Sequence, residues 1–479
     1  MILRSAWALL AAVIALRSAG FAFGILNIDE SDFMLLGASA ARGELPYRTL
    51  VEIKPPLGGL TYAPAALFGG LSILPMRVLG VFWVFATALV LREAARRWTR
   101  DEDAGWAAAW LSLLASLCEV PSFGSELMMN LPVAGALWAW AAGRTFAAGA
   151  LVGIASMYRH QAAIAAVALG LALLVDRRWR DVLFLGAGTL LPWAAAVAIY
   201  AALGEARLFL EWAVLRNFAY AGKGAAGGAL GRALQSTALC VGAAIVPWAL
   251  AARSWPRDVV GRAALLLLWL TWVPVALGGR FYEHYYLQFV PPLALLGASK
   301  AADLARRWRQ LSPRLRAVIV AGCALPLAVN LAFAWGRGIA GRYPGQEPRT
   351  AALAAWLRAN TAPEERLFVW GHYTPIYTLA QRLPGTRYYN TSVHMGNFDP
   401  EHLPHGFDPA AHRSEADVRA TVEDLEARGP AIVVDTAPAD IHGWARVPLT
   451  AFPEIAGYVH AHYRHVASPG GAEVWRRVR

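Results

Sequence analysis

Eight side chains suited to acid–base and anion-binding chemistry stand where apolar runs of this chain begin or end. They are Asp29, Glu30, Lys54, Glu126, Arg159, His160, Arg280 and His284, and Glu283 adjoins the last of them. A carboxylate or an imidazole can take up a proton, and a guanidinium or ammonium group can hold an anion. Ionisable groups at a membrane are expensive, so a clustered set of them points to function by default. The stretch FAFGILNIDESDF, residues 21–33, poses the question most sharply, because a long apolar run drops there into Asp29, Glu30 and Asp32.

Each of these residues also has a structural reading. Asp29 and Glu30 could be no more than a polar helix end, and Glu126 could cap the helix that follows it, since acidic residues suit a helix N-terminus. His284 suits a satisfied structural histidine as well as a ligand or a phosphate donor. Arg159 and His160 are harder to treat as bland. They interrupt apolar residues 146–176, and a solvated loop there would normally bring Gly, Asn or Pro as well. The tail histidines His372, His394, His402 and His405 match no standard zinc spacing, and no metal constellation is expected.

The elements that must carry these residues follow from composition. A chain of 479 residues with 57% hydrophobic and 16% charged residues, and a mean hydropathy of +0.39, is too apolar for an ordinary soluble protein. The net charge of +11 does not indicate nucleic acid, because the arginines bracket apolar runs and do not gather into a recognition patch. Cys118, Cys240 and Cys323 all sit inside apolar segments and offer neither a disulfide framework nor a metal motif. The N-terminal run has no convincing cleavage site and reads as a retained first helix.

Membrane-spanning helices need about 20 apolar residues. Candidates are 5–26, 76–97, 103–118, 127–143, 146–158, 161–176, 182–203, 233–252, 262–278, 284–299 and 316–336. The run 55–70, broken by Pro64, reads instead as an interfacial helix on the outer leaflet. With that assignment the loops on the N-terminal side hold eighteen Lys or Arg against ten on the other side, the bias expected of a cytoplasmic N-terminus. The expected fold is an all-α polytopic membrane protein of about eleven transmembrane helices, residues 1–339, with a first outer loop at 27–75. Residues 340–479 are expected to form an exported α/β domain, with helices in PRTAALAAWLRAN and SEADVRATVEDLEARG and short strands in RLFVWG and AIVVDT. The topology was set by arginines in the loops, yet it places the ionisable residues named above together on the outer side, where they could share one site.

The segment DESDFMLLGASAARGELPYRTLVEIKPPLGGL resembles the first outer loop of the GT-C glycosyltransferases, which include protein O-mannosyltransferases (glycosyltransferase family 39) and the aminoarabinose transferases of lipid A. Those enzymes carry an Asp-Glu pair after the first helix, then a small-residue segment with Gly and Pro-Tyr, then Lys-Pro-Pro-Leu or His-Pro-Pro-Leu. The resemblance covers roughly residues 5 to 340. It departs at Tyr158-Arg159-His160-Gln161, where many relatives have Thr-Lys. It implies a membrane glycosyltransferase that moves a sugar from a polyprenyl-phosphate donor to a lipid, glycan or protein hydroxyl at the outer face, with inversion of the anomeric configuration. The resemblance further implies Asp29 as general base, Glu30 ordering the loop or the acceptor, and Glu126 orienting the acceptor or sharing the proton. Lys54, Arg159 and Arg280 would hold the phosphate, with His160 and His284 as further donors. No cofactor and no nucleic acid are implied, and the setting is a bacterial-type plasma membrane. A transporter or flippase of lipid-linked sugars and a non-catalytic envelope assembly protein remain alternatives.

Overall fold

The computed structural model describes residues 2–217, 228–396, 403 and 406–478. His402 and His405 lie outside the described residues. The chain is mostly helical, 71%, and divides into two compact units.

The first unit comprises Met1–Phe21, Arg77–Ala206 and Gly228–Gly336. Among the described residues, four helices are long and apolar enough to cross a membrane: Ile73–Thr99, Trp179–Ala202, Val259–Ala276 and Pro313–Gln346. The pair Ala229–Ala243 and Ile245–Ala251 would make a fifth span, but it is bent by 85°. Leu183, Phe184, Leu190, Leu191 and Ile199 project outward from Trp179–Ala202, which suits a hydrocarbon surround and not water. Several other expected spans form helices of fewer residues. Residues 146–176 split into Thr145–Ser156 and Ile164–Val175 because Arg159 takes an extended backbone, φ −156° and ψ 125°, ahead of a 3₁₀ turn.

Small residues bring helices of this unit into backbone contact. A Cβ added at Gly149 would lie 2.2 Å from the Leu185 carbonyl oxygen, and one at Gly188 2.2 Å from that of Phe146. The spacing Gly149-x-x-x-Gly153 is the pattern that lets apolar helices approach without side chains between them.

The second unit comprises Ala22–Met76, Arg207–Gly227 and Arg337–Arg479. The helix Ile28–Ala41 packs on Leu57–Gly69, which contains Pro64. The crossing is tight: a Cβ at Gly37 would meet Tyr62 Cβ at 2.4 Å, and one at Gly58 would meet the Phe33 ring at 2.4 Å. A four-stranded sheet lies further along the chain, with β1 Leu367–Trp370, β2 Ile432–Asp435, β3 Tyr463–Ala467 and β4 Glu473–Arg477 in the order β1-β2-β4-β3. β1 and β2 run parallel, and β4 is antiparallel to both β2 and β3. Phe368, Trp370, Val433, Trp444, Phe452 and Val459 form its core, under the helices Glu415–Arg428 and Pro453–His462. Arg216 clamps Asp417 with two bonds of 2.9 Å, which ties the 207–217 segment to the helix Glu415–Arg428.

Candidate functional site

The helix Ile28–Ala41 begins where the apolar run ends because Asn27 caps it. The Asn27 side chain accepts from the Asp29 N–H at 3.0 Å. The Glu30 carboxylate reaches back to the N–H groups of Leu26 at 2.9 Å and Asn27 at 3.3 Å. This is a capping box, and it gives the fully buried Glu30 a backbone task. Asp29, one residue earlier, keeps its side chain 30% exposed and takes the Lys54 ammonium at 3.0 Å. Lys54 also lies over the Phe33 ring, 5.1 Å from its centroid.

Two further carboxylates stand around Lys54. Glu52 accepts from the Lys54 N–H at 3.0 Å and from the Tyr389 hydroxyl. Asp32, one helical turn beyond Asp29, is buried, and its Oδ1 lies 2.7 Å from the Thr374 hydroxyl oxygen. Burial pushes the Asp32 carboxyl up to about 8, and the charges of Asp29 and Glu52 add to the rise, while Lys54 and the Thr374 hydrogen bond oppose it. The Tyr389 phenol is raised well above its ordinary value, first by burial and then by Glu52. Neither Asp32, Glu52 nor Tyr389 was expected as a site residue. The i,i+3 spacing of Asp29 and Asp32 puts both on one helix face and was the available signal.

The first unit holds a second constellation. Glu126 opens the helix Ser125–Ala141, whose N-cap residue is Gly124 with no side-chain cap. Its buried carboxylate takes Arg159 Nη1 at 2.9 Å and the Ser125 hydroxyl at 3.0 Å, with His284 Nε2 at 3.6 Å. Arg159 also donates through Nε to Gln161 at 2.7 Å and lies over the Tyr285 ring, 4.9 Å from its centroid. Gln161 in turn donates to the Pro274 carbonyl at 3.2 Å. His160 is stacked on Trp193, with ring centroids 5.5 Å apart. Arg280 is buried four residues before His284.

Thus Asp29 and Lys54 meet in one unit, and Glu126, Arg159 and His284 meet in the other. Gln161 and Tyr285 complete the second group and were not foreseen. Among the described residues no three His, Cys, Asp or Glu side chains gather as a metal site. His394 is buried and hydrogen-bonded to Thr391 and Thr421, and burial lowers it to about 4, so it is a neutral core histidine.

No protein-family profile and no curated protein sequence matches the chain. Its fold is that of ArnT from Cupriavidus metallidurans. The structure of that protein bound to undecaprenyl phosphate aligns with a TM-score of 0.63 at 15% identity, over 99% of each chain. Its apo state aligns with a TM-score of 0.61 at 15% identity, over 98% of this chain and 96% of the other. At this identity the likeness establishes the fold.

Proposed function

We propose that this chain is a membrane glycosyltransferase that moves a sugar from a polyprenyl-phosphate donor to an acceptor hydroxyl at the outer membrane face. The observation that carries the reading is the Asp29–Lys54 pair at the start of a capped helix, on a fold shared with a protein crystallised with undecaprenyl phosphate. A lipid-borne donor explains why acid–base and cationic groups sit at the ends of apolar helices, since such an enzyme takes its substrate laterally from the bilayer.

In the proposed reaction an acceptor oxygen attacks the anomeric carbon, the bond to the donor phosphate breaks, and configuration inverts. Asp29 takes the acceptor's proton. Glu30 holds the entry of its helix in register, and Glu126 orients the acceptor or shares the proton. Lys54 supplies a point charge to the phosphate, and Arg159 a planar fork that suits phosphate oxygens. Arg280, His160 and His284 are further donors. The acceptor is a lipid, a glycan or a protein hydroxyl.

A membrane assay with radiolabelled polyprenyl-phosphate sugars tests the reading: it expects one donor to be consumed and its sugar to appear on an acceptor. Transport of lipid-linked sugars is the second reading, favoured by the helix pair bent by 85° between Ala229 and Ala251. Under transport the label would change sides of the membrane and stay on its lipid.

The proposal includes eleven crossings, a cytoplasmic N-terminus and an exported 340–479 segment, and this is directly testable. In a background without native cysteines, an exposed cysteine at Ala427 is expected to react with a membrane-impermeant maleimide in intact cells. One at Gln310 is expected to react only after lysis. The reverse pattern would overturn the topology and every outer-side assignment.

A further inference from the structure

Three carboxylates lie near Lys54: its ammonium meets Asp29 at 3.0 Å, its backbone N–H donates to Glu52 at 3.0 Å, and its charge, with those of Asp29 and Glu52, acts on Asp32. Asp32 is 7% exposed and its hydrogen-bond partner is the neutral Thr374 hydroxyl, a setting in which a carboxyl is held more readily as the neutral acid than as an anion. Asp29 holds the ammonium directly at 3.0 Å. Glu52 has both oxygens engaged by donors, the Lys54 N–H and the Tyr389 O–H. Asp32 is the least exposed of the three and faces a hydroxyl that can act either way. The Thr374 oxygen is 2.7 Å from Asp32 Oδ1 and 3.5 Å from the Ile28 carbonyl oxygen. A threonine has one hydroxyl hydrogen. The 2.7 Å contact serves either direction: Thr374 donates to an ionised Asp32, or a protonated Asp32 donates to the Thr374 oxygen and the threonine hydrogen turns toward the Ile28 carbonyl. The other ionisable neighbour on the same helix, Glu30, is committed to the Leu26 and Asn27 N–H groups.

We propose that Asp32 works as a neutral carboxylic acid that donates to Thr374, and that its neutrality leaves Lys54 to Asp29 and to the phosphate of the donor. The inference rests on the glycosyl-transfer reading for the donor phosphate, but not for the protonation of Asp32. Asp32 is a positioning residue. It touches neither sugar nor phosphate, and it acts by not competing for the ammonium. The rise of its carboxyl to about 8 accords with this and sets where the arrangement fails.

Asp32→Asn is the decisive variant, because an amide reproduces the shape and the donor of the protonated acid and cannot ionise. The probe is radiolabelled undecaprenyl phosphate, bound to the full-length chain in nanodiscs from about pH 6 to about pH 10. Binding to the parent is expected to weaken about tenfold between about pH 7 and about pH 9, as a group titrating near 8 ionises. Asp32→Asn is expected to match the parent at pH 7 and to lack that alkaline fall. Loss of binding in Asp32→Asn at pH 7, or the same alkaline fall in both, overturns the proposal.

Thermal unfolding supplies a readout that needs no lipid. A carboxyl raised in the folded state contributes stability that is complete below the unfolded value of about 3.9 and is lost as pH rises to about 8. The stability of Asp32→Asn relative to the parent is therefore expected to grow across that window and then level off. A difference that does not change with pH overturns the protonation of Asp32. If the parent binds no undecaprenyl phosphate at any pH, the donor reading fails while this thermal comparison still decides the state of Asp32.

Discussion

Asp29→Asn is expected to lower sugar transfer by about 10²- to 10⁴-fold, the range typical for removal of a general base. The amide keeps the shape of the side chain and can still accept from the Lys54 ammonium that lies 3.0 Å from Asp29, but it cannot take the acceptor's proton. Expression and thermal stability should change little, since the Asp29 side chain is 30% exposed and the helix is capped by Asn27 and Glu30, not by Asp29. Binding of undecaprenyl phosphate should be retained or improved, because Lys54 loses its nearest anionic competitor. Glu30→Gln should cost far less in transfer, as the glutamine oxygen can accept from the same Leu26 and Asn27 N–H groups. Transfer by each variant, measured with the donor found active in the membrane assay, checks the assignment. Near-parental transfer by Asp29→Asn together with an inactive Glu126→Gln would move the base to Glu126. Full activity in both would remove the glycosyltransferase reading.

Arg159→Ala is expected to weaken donor binding by about 10- to 150-fold, equivalent to about 1.5–3 kcal/mol for a charge-assisted hydrogen bond. Part of any defect will be structural. Arg159 neutralises Glu126, which is 2% exposed, and breaking a buried ion pair from one side typically costs about 3–5 kcal/mol. The double variant Arg159→Ala with Glu126→Gln separates the two effects. It removes the stranded carboxylate and should recover most of the thermal stability, but it should not recover donor affinity. Arg159→Lys should restore part of the affinity, since the charge returns without the planar fork. If the double variant binds donor like the parent, Arg159 serves Glu126 alone and the phosphate is held elsewhere.

The sequence and the structure agree most closely where a signal is local. Asn27-x-x-Glu30 is a capping-box spacing, and it closes as one. In the sequence Glu30 stands equally as half of an acidic pair, because a carboxylate that caps and one that catalyses look alike in a string of letters. The break of residues 146–176 at Arg159 was visible, as were strands in RLFVWG and AIVVDT and the helix closed by Gly429. β3 and β4 were not foreseen. YRHVA and EVWRR carry too many polar residues to form an apolar run, and β4 is held between β2 on one side and β3 on the other. Asp32 was in view from the start yet had no assigned task, since its partner Thr374 is 342 positions away in the chain. The same distance hides the Glu52–Tyr389 contact, which lies 337 positions apart. Spacing rules reach along one helix or one turn, and these contacts depend on how remote segments pack.

The glycines between Ile28–Ala41 and Leu57–Gly69 extend the list of positions where function can be lost. Because a Cβ at Gly37 would lie 2.4 Å from Tyr62 Cβ and 2.9 Å from the Gly59 carbonyl oxygen, a single methyl group there cannot be absorbed by a rotamer change. It must push the two helices apart, and with them the ends that carry Asp29 and Lys54. Gly37→Ala should therefore resemble a defect of the Asp29–Lys54 pair although it alters no ionisable group. Its signature would be weaker donor binding and slower transfer together, with every charged side chain still present. A survey of inactive variants confined to the acids and bases would miss this class, whose members are uncharged, buried and two or more helical turns from the reaction they disable.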